Sequence, residues 1–200
     1  MTTLVAIYVF DRMEVLDFAG PFSVFSTAAR LKAREQPDAP GLFEVVIVAE
    51  SMNGVRARGG LILNPHFTIS SHPGTDILVI PGGNITAELM KDNVVKWVGE
   101  SARTARITAA VCTGAFFLAK AGLLEGREVT THWEDIDDLQ SAYPGIKVIR
   151  DRRWVDTGNI VTSAGISAGI DMSLHLVERL VGEDLAVRTA RQLDYEWRRS

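Results

Sequence analysis

Short, continuous apolar runs alternate along the chain with longer stretches in which apolar residues recur at helical spacing. The runs at residues 3–10, 43–49, 76–80 and 106–111 are too short for ordinary helices and rich in Val, Ile and Ala. That pattern predicts strands buried on both faces. Helical periodicity is expected over residues 21–34, with Pro21 at the first helical position, and over 87–105 in two pieces. Further helices are expected over 115–121 (ended by Gly122), 133–142, 168–181 and 185–197. Residues 55–64, with Gly59-Gly60 between two short runs, read as a hairpin or edge ribbon. Shorter strands are expected at 128–131, in two segments over 147–155, and at 159–163. Strand–helix alternation with unbroken apolar strands argues for an α/β domain with a mostly parallel sheet and helices on both faces. No repeat, low-complexity tract or linker interrupts it, so residues 1–200 read as a single domain.

In an open sheet of this kind, ligands bind beyond the carboxyl ends of the strands. Four features fall there: Asp17 after the first strand, Gly82-Gly83 after the third, Cys112-Thr113-Gly114 after the fourth, and Ser163-Ala-Gly-Ile-Ser167 after the last. Cys112 leaves a strand of small residues and enters a helix within two positions, the layout of a nucleophile elbow with Cys in place of Ser. A helix N-terminus lowers a thiol pKa, which would raise the reactive thiolate fraction. The rival reading is a small hydrophobe in the core, where most free cysteines sit. Gly82-Gly83 offers backbone N–H groups for a ligand or oxyanion, or simply a tight turn. Asp17, in Leu16-Asp-Phe-Ala-Gly-Pro21 just ahead of the expected helix, reads as an N-cap unless it faces Cys112. Facing the thiol, it would share one proton with it and act as a general acid/base.

The remaining chemistry is sparse. His66, His72 and His175 read as structural or surface residues, and His132 alone lies near a strand end. No cluster has metal-ligand spacing and no glycine pattern matches a phosphate loop, so no metal or cofactor is expected. Phe18, Phe22, Trp133 and Ile166 would suit an apolar pocket or the core equally well.

Composition narrows the classes further. A net charge of −4 with scattered basic residues gives no footprint for nucleic acid or anionic lipid. The longest apolar stretch, residues 107–111 and 115–119, is broken by Cys112-Thr-Gly114 and falls short of the about 18 residues a membrane span needs. One cysteine makes no intramolecular disulfide, and the chain opens without a signal-type segment, so a cytoplasmic setting is expected.

Several segments together carry a resemblance. Val111-Cys-Thr-Gly-Ala115, Leu118-Ala-Lys-Ala-Gly-Leu-Leu-Glu-Gly126, Thr130-Thr-His-Trp133 and Ser163-Ala-Gly-Ile-Ser-Ala-Gly-Ile-Asp171 resemble the ThiJ/PfpI superfamily. With Leu16-Asp-Phe-Ala-Gly-Pro21 and Ile80-Pro-Gly-Gly83 they resemble its isocyanide hydratase branch, over nearly the whole chain. The resemblance implies a flavodoxin-like, doubly wound fold, a homodimer, a small-molecule substrate, and cofactor-free catalysis. It implies Cys112 as nucleophile, Asp17 as acid/base and Thr113 beside them, with Gly82, Gly83, Gly20 and Ile166 expected at the substrate. Proteases of the superfamily carry a histidine straight after the cysteine, and here that position is Thr113, which argues against peptidase activity. The expected reaction is hydration of an isocyanide to an N-substituted formamide. Its rivals are glyoxalase- or amidase-like chemistry at the same thiol, and a non-catalytic ligand-binding domain like that of AraC-type regulators. Those regulators carry roughly another hundred residues of helix-turn-helix domain, for which a chain ending at Ser200 leaves no room.

Overall fold

The computed structural model describes residues 1–199. The four apolar runs form the centre of a seven-stranded sheet: β1 (Thr3–Tyr8), β2 (Phe43–Ala49), β6 (Ile77–Ile80) and β7 (Ile107–Val111). Two small ribbon strands, β3 (Val55–Arg56) and β4 (Ile62–Leu63), pair antiparallel around a 3-10 turn at Arg58–Gly60, the hairpin expected there. β5 (Phe67–Thr68) closes one edge of the sheet, and β11 (Ile160–Ser163) with β10 (Trp154–Asp156) the other. The order is β10-β11-β7-β6-β1-β2-β5, parallel throughout except for the β10–β11 pair. β8 (Glu128–Val129) and β9 (Lys147–Val148) pair separately.

From β1 the chain crosses through α1 (Val15–Glu35) outward to β2, and later returns to place β6 on the other side of β1. From β6 it crosses through α2 (Thr86–Leu89) and α3 (Asp92–Thr104) to β7, in the opposite direction. Right-handed crossovers running opposite ways put their helices on opposite faces and open a crevice at the strand ends between β1 and β6. α1 packs with α6 (Ala168–Val181) and α7 (Glu183–Gln192), whereas α2 and α3 pack with α4 (Ala115–Lys120). The remaining helix, α5 (Ile136–Ala142), leans on β9. The core is the double-sided burial of β1, β6 and β7, whose residues from Val5 to Tyr8, Ile77 to Ile80 and Ala109 to Val111 are wholly inaccessible.

Two helix boundaries depart from the sequence pattern. α1 starts at Val15 rather than Pro21, so Pro21 lies inside it and Asp17 sits in its first turn, with Glu14 at the N-cap position. Proline lacks an N–H and frees only the carbonyl four residues back, so a turn that packs against the core can still precede it. α7 ends at Gln192 rather than near Trp197, with Asp194 in the left-handed region (φ 51°). The apolar residues beyond it are anchored as an irregular tail: the Trp197 indole donates to the Asp171 carbonyl at 3.2 Å, and the Arg198 N–H to the Asp171 carboxylate at 2.9 Å.

Candidate active site

The strand ends of β1, β6 and β7 bring Asp17, Gly82, Gly83, Cys112 and Thr113 together. Cys112 follows β7 directly and holds φ 59°, a left-handed conformation that a non-glycine residue adopts only under constraint from its surroundings. Three contacts supply that constraint. The Thr131 hydroxyl donates to the Cys112 carbonyl at 2.8 Å. A Cβ on Gly114 would stand 2.2 Å from the Ile80 carbonyl oxygen, so the start of α4 is pressed against the end of β6. The Thr113 hydroxyl donates to the Gly83 carbonyl at 3.1 Å and accepts from the Gly83 N–H at 2.9 Å. The expected elbow is present, and it is a tight one.

Asp17 is completely buried. Its Oδ2 accepts the Gly82 N–H at 3.0 Å. Its Oδ1 has no hydrogen bond of ordinary geometry, although the Cys112 thiol and the Ile166 N–H lie close enough to interact with the carboxyl. A Cβ on Gly82 would meet the Thr113 hydroxyl oxygen at 2.5 Å and Asp17 Oδ2 at 3.0 Å, so only glycine lets the three groups crowd this closely.

Above the thiol lies a cleft of about 200 Å³ whose walls include Glu14, Arg58, Thr113, His132, Asp135 and Ile166. Glu14 and Arg58, both in its wall, form an ion pair at 3.2 Å that joins the start of α1 to the β3–β4 ribbon. Trp133, a pocket candidate, is instead 71 % exposed outside the cleft, and Phe18 is buried in the core. Gly20 does not border the thiol cleft: its missing Cβ lets α1 approach Ile170 of α6, where a Cβ would stand 2.9 Å from Ile170 Cγ1.

The DJ-1/PfpI family model matches residues 3–179. The chain belongs to the DJ-1/PfpI family. It is 34% identical to an isonitrile hydratase of Pseudomonas putida over 98% of this chain and 79% of that protein. It is 29% identical to the transcriptional regulator GbdR of Pseudomonas aeruginosa, matching 93% of this chain but only 49% of the regulator. Among solved structures, a ThiJ/PfpI family protein from Pseudomonas syringae superposes with a TM-score of 0.85 at 26% identity, over 98% of this chain and 76% of that one. Drosophila melanogaster DJ-1beta shares the fold, with a TM-score of 0.82 at 19% identity over 98% of this chain and all of the other.

Within this DJ-1/PfpI fold, two expectations about the site's electrostatics are corrected. The thiol pKa is not lowered. Burial, and then the Asp17 carboxylate beside it, push Cys112 up to about 12, and the Thr113 N–H only partly opposes them. Burial likewise pushes Asp17 up to about 7, against the Gly82 N–H that favours its charged form. The glycine amides are not free donors either, because the Gly82 N–H is taken by Asp17 and the Gly83 N–H by Thr113. They fix the carboxylate and the threonine, and the amide that faces the thiol is that of Thr113.

His132, the one histidine that the sequence places near a strand end, does reach the site. Three histidines are structural: His66 accepts the Ile47 N–H, His72 the Trp97 indole, and His175 pairs with Asp156 at 2.8 Å. His132 lines the thiol cleft, with Nε2 3.4 Å from Glu134 and a buried Nδ1 that has no partner. Gly165 makes room for it, since a Cβ there would stand 2.0 Å from Nδ1. Among the described residues no group of His, Cys, Asp or Glu could hold a metal ion, and no helix is long and apolar enough to cross a membrane.

The raised Asp17 pKa has a consequence for stability. The unfolded chain loses this proton near the ordinary value of 3.8 and the folded chain near 7, so stability falls as pH rises through that interval. Asp17→Asn removes the buried charge while keeping an acceptor for the Gly82 N–H. Urea denaturation at about pH 8 is expected to show the variant more stable by on the order of 3 kcal/mol, and at about pH 4 by almost nothing. An equal gain at both pH values would count against a buried, high-pKa carboxyl.

Proposed function

We propose that this protein hydrates isocyanides to N-substituted formamides, with Cys112 as nucleophile and Asp17 as acid/base. The observation that carries the reading is the buried thiol–carboxyl pair: Asp17 is held by the Gly82 N–H against Cys112, and Thr113 occupies the position next to the cysteine. Kinship with an isonitrile hydratase along nearly the whole chain supports it.

The chemistry follows from one proton shared by two groups. Between the two raised pKa values the pair holds a single proton, resting on the thiol. Asp17 takes that proton as the sulfur attacks the terminal carbon of R–N≡C, and returns it to the same carbon. The product is the thioimidate R–N=CH–S–Cys112, with the carboxylate regenerated. Asp17 next takes a proton from water, whose oxygen adds to the thioimidate carbon while the nitrogen is protonated. The adduct R–NH–CH(OH)–S–Cys112 then breaks its C–S bond, and the hydroxyl proton passes to the departing sulfur. The sum is R–NC plus water to R–NH–CHO. Thr113 holds the elbow and presents its N–H to the sulfur. Ile166 stands at the cleft with its backbone N–H toward Asp17.

The same reading takes the chain as a homodimer in the cytoplasm. The exposed Leu61 and Ile62 on the ribbon that carries Arg58 give a second copy an apolar place to seat. The test is incubation of purified protein with an alkyl isocyanide, following formamide by NMR. Turnover is expected, with kcat/KM rising as pH increases through about 7 and reaching a plateau as the pair loses its first proton. Asp17→Asn is expected to abolish that limb. Absence of formamide formation at every pH, or an unchanged limb in the variant, overturns the reading.

A second reading, a ligand-sensing domain without turnover, is favoured by the likeness to GbdR and by the protonated state of the thiol. Isocyanide binding without formamide formation would support it over the first.

A further inference from the structure

The cleft over Cys112 is small and largely polar. Its 200 Å³ lies below the roughly 300–1,000 Å³ of ordinary small-molecule sites, and several of its walls are charged. An isocyanide is linear, with its terminal carbon at the sulfur, so the substituent on nitrogen must point away from the thiol. A groove of about 610 Å³ adjoins the cleft and shares Arg58, Gly83, Thr113 and Asp135 with it. Beyond those shared residues the groove is lined by apolar Ile85, Leu89, Met90 and Phe116 and the Tyr143 ring, with Asn84, Thr86, Lys120 and Asp138 among them.

Charge decides what kind of substituent fits. Of the two cations bordering the groove, Arg58 is paired with Glu14, whereas the Lys120 ammonium donates to the Leu89 carbonyl and keeps its charge. The acids Asp135 and Asp138 also line it, and burial raises the Asp135 pKa. An anionic substituent would meet two carboxylates against one cation, Lys120, that no acid neutralises. A neutral hydrocarbon substituent would cover Phe116 and Leu89 and leave the rim in water.

We propose that this groove is the subsite for the substituent of the substrate, and that the substrates are isocyanides bearing an extended, uncharged apolar group. The inference rests on the hydratase reading and adds the substrate class to it. The groove shares four walls with the thiol cleft and brings apolar side chains next to it.

The experiment compares straight-chain isocyanides from methyl to n-hexyl. Each added methylene is expected to raise kcat/KM by roughly two- to fourfold until the groove is filled. A terminal carboxylate should reverse the gain. Phe116→Ala, and separately Leu89→Asp, should bring the hexyl-to-methyl ratio toward one. A flat series with turnover, or an unchanged ratio in both variants, overturns the subsite while leaving the hydratase reading standing.

A readout independent of turnover separates the two ideas. The rate at which N-alkylmaleimides alkylate Cys112 should rise with chain length in the parent and lose that dependence in Phe116→Ala. If no isocyanide is turned over, this dependence still supports the groove as an apolar-tail site, and its absence overturns it. If instead the variants leave both length dependences intact and shift the protein from dimer to monomer in sedimentation, the groove is covered by a second copy, and the proposal fails.

Discussion

Cys112→Ala is expected to lower kcat/KM for isocyanide hydration by about 10⁴-fold or more, the scale seen when a nucleophile is removed from an enzyme whose groups act as a unit. The loss should be chemical rather than structural. Alanine keeps the Cβ, so the backbone at φ 59° is no more strained than before, and the Thr131 bond to the residue-112 carbonyl does not involve the side chain. Thermal unfolding is therefore expected to move by only a few degrees, about 1 kcal/mol or less for a chain of this size. Cys112→Ser is the informative companion. A hydroxyl is far harder to deprotonate than a thiol, and at this position the thiol itself is already raised by burial and by Asp17. Asp17 alone would not activate the serine, and the variant should be nearly as inactive as alanine. Mass spectrometry of the parent quenched during turnover should show the mass of one isocyanide added at Cys112, and neither variant should carry it. Residual activity within tenfold of the parent in Cys112→Ala would mean that the sulfur is not bonded to substrate.

Why the pair was readable in the sequence, and its state was not, has a physical explanation. Asp17 and Cys112 stand at strand ends because the unbroken apolar runs before them are unmistakable strands. A parallel sheet gathers such ends on one side. The helix start beyond Cys112 is equally visible, and it suggests a lowered thiol pKa. Burial and a carboxylate ninety-five positions earlier in the chain outweigh it, and neither is a local property. The Gly82-Gly83 amides illustrate the same limit. Their freedom from side chains is legible, but the groups that consume their N–H donors come from α1 and from the elbow. Glu14 and Arg58 are not legible in the sequence because each is set at the cleft by a loop or ribbon whose course depends on the sheet. For His132 the strand-end position is legible, but the crowding that seats its ring, against a Gly165 whose Cβ it would exclude, exists only once the two are adjacent. Helix ends failed for related reasons. Pro21 is a fair marker of a first helical position, yet here a further turn carrying Asp17 precedes it. Tyr195 and Trp197 look like a continued helical stripe, but they are held by Ser167 and Asp171 of the neighbouring segment.

The elbow's tightness makes the second large prediction, Gly114→Ala. Gly114 has φ −55°, an ordinary helical value, so alanine there incurs no conformational cost and would by propensity favour the helix. The obstacle is space. The new Cβ would lie 2.2 Å from the Ile80 oxygen and 3.0 Å from both the Ile80 carbonyl carbon and the Pro81 oxygen. All three are backbone atoms at the end of a central strand, and β6 is paired in register with β1 on one side and β7 on the other. No side chain can rotate to relieve the contact, so α4 must lift from the sheet. The expected cost is on the order of 3 kcal/mol, the upper end of overpacking, which for a chain of this length corresponds to about 6–12 °C in Tm. Gly122→Ala is the control, because Gly122 has φ 72° with nothing within 4 Å of its Cβ position. There only the left-handed conformation is penalised, by about 1 kcal/mol. The ordering is the test: Gly114→Ala should be the less stable of the two in urea, with an unchanged m-value. It should also lose most of the proposed hydratase activity even when folded, because lifting α4 carries Thr113 away from Gly83 and Cys112 away from Asp17. If Gly114→Ala is as stable as Gly122→Ala, the close approach between elbow and β6 does not exist, and with it goes the physical reason for Cys112 to hold a left-handed backbone over a buried carboxyl.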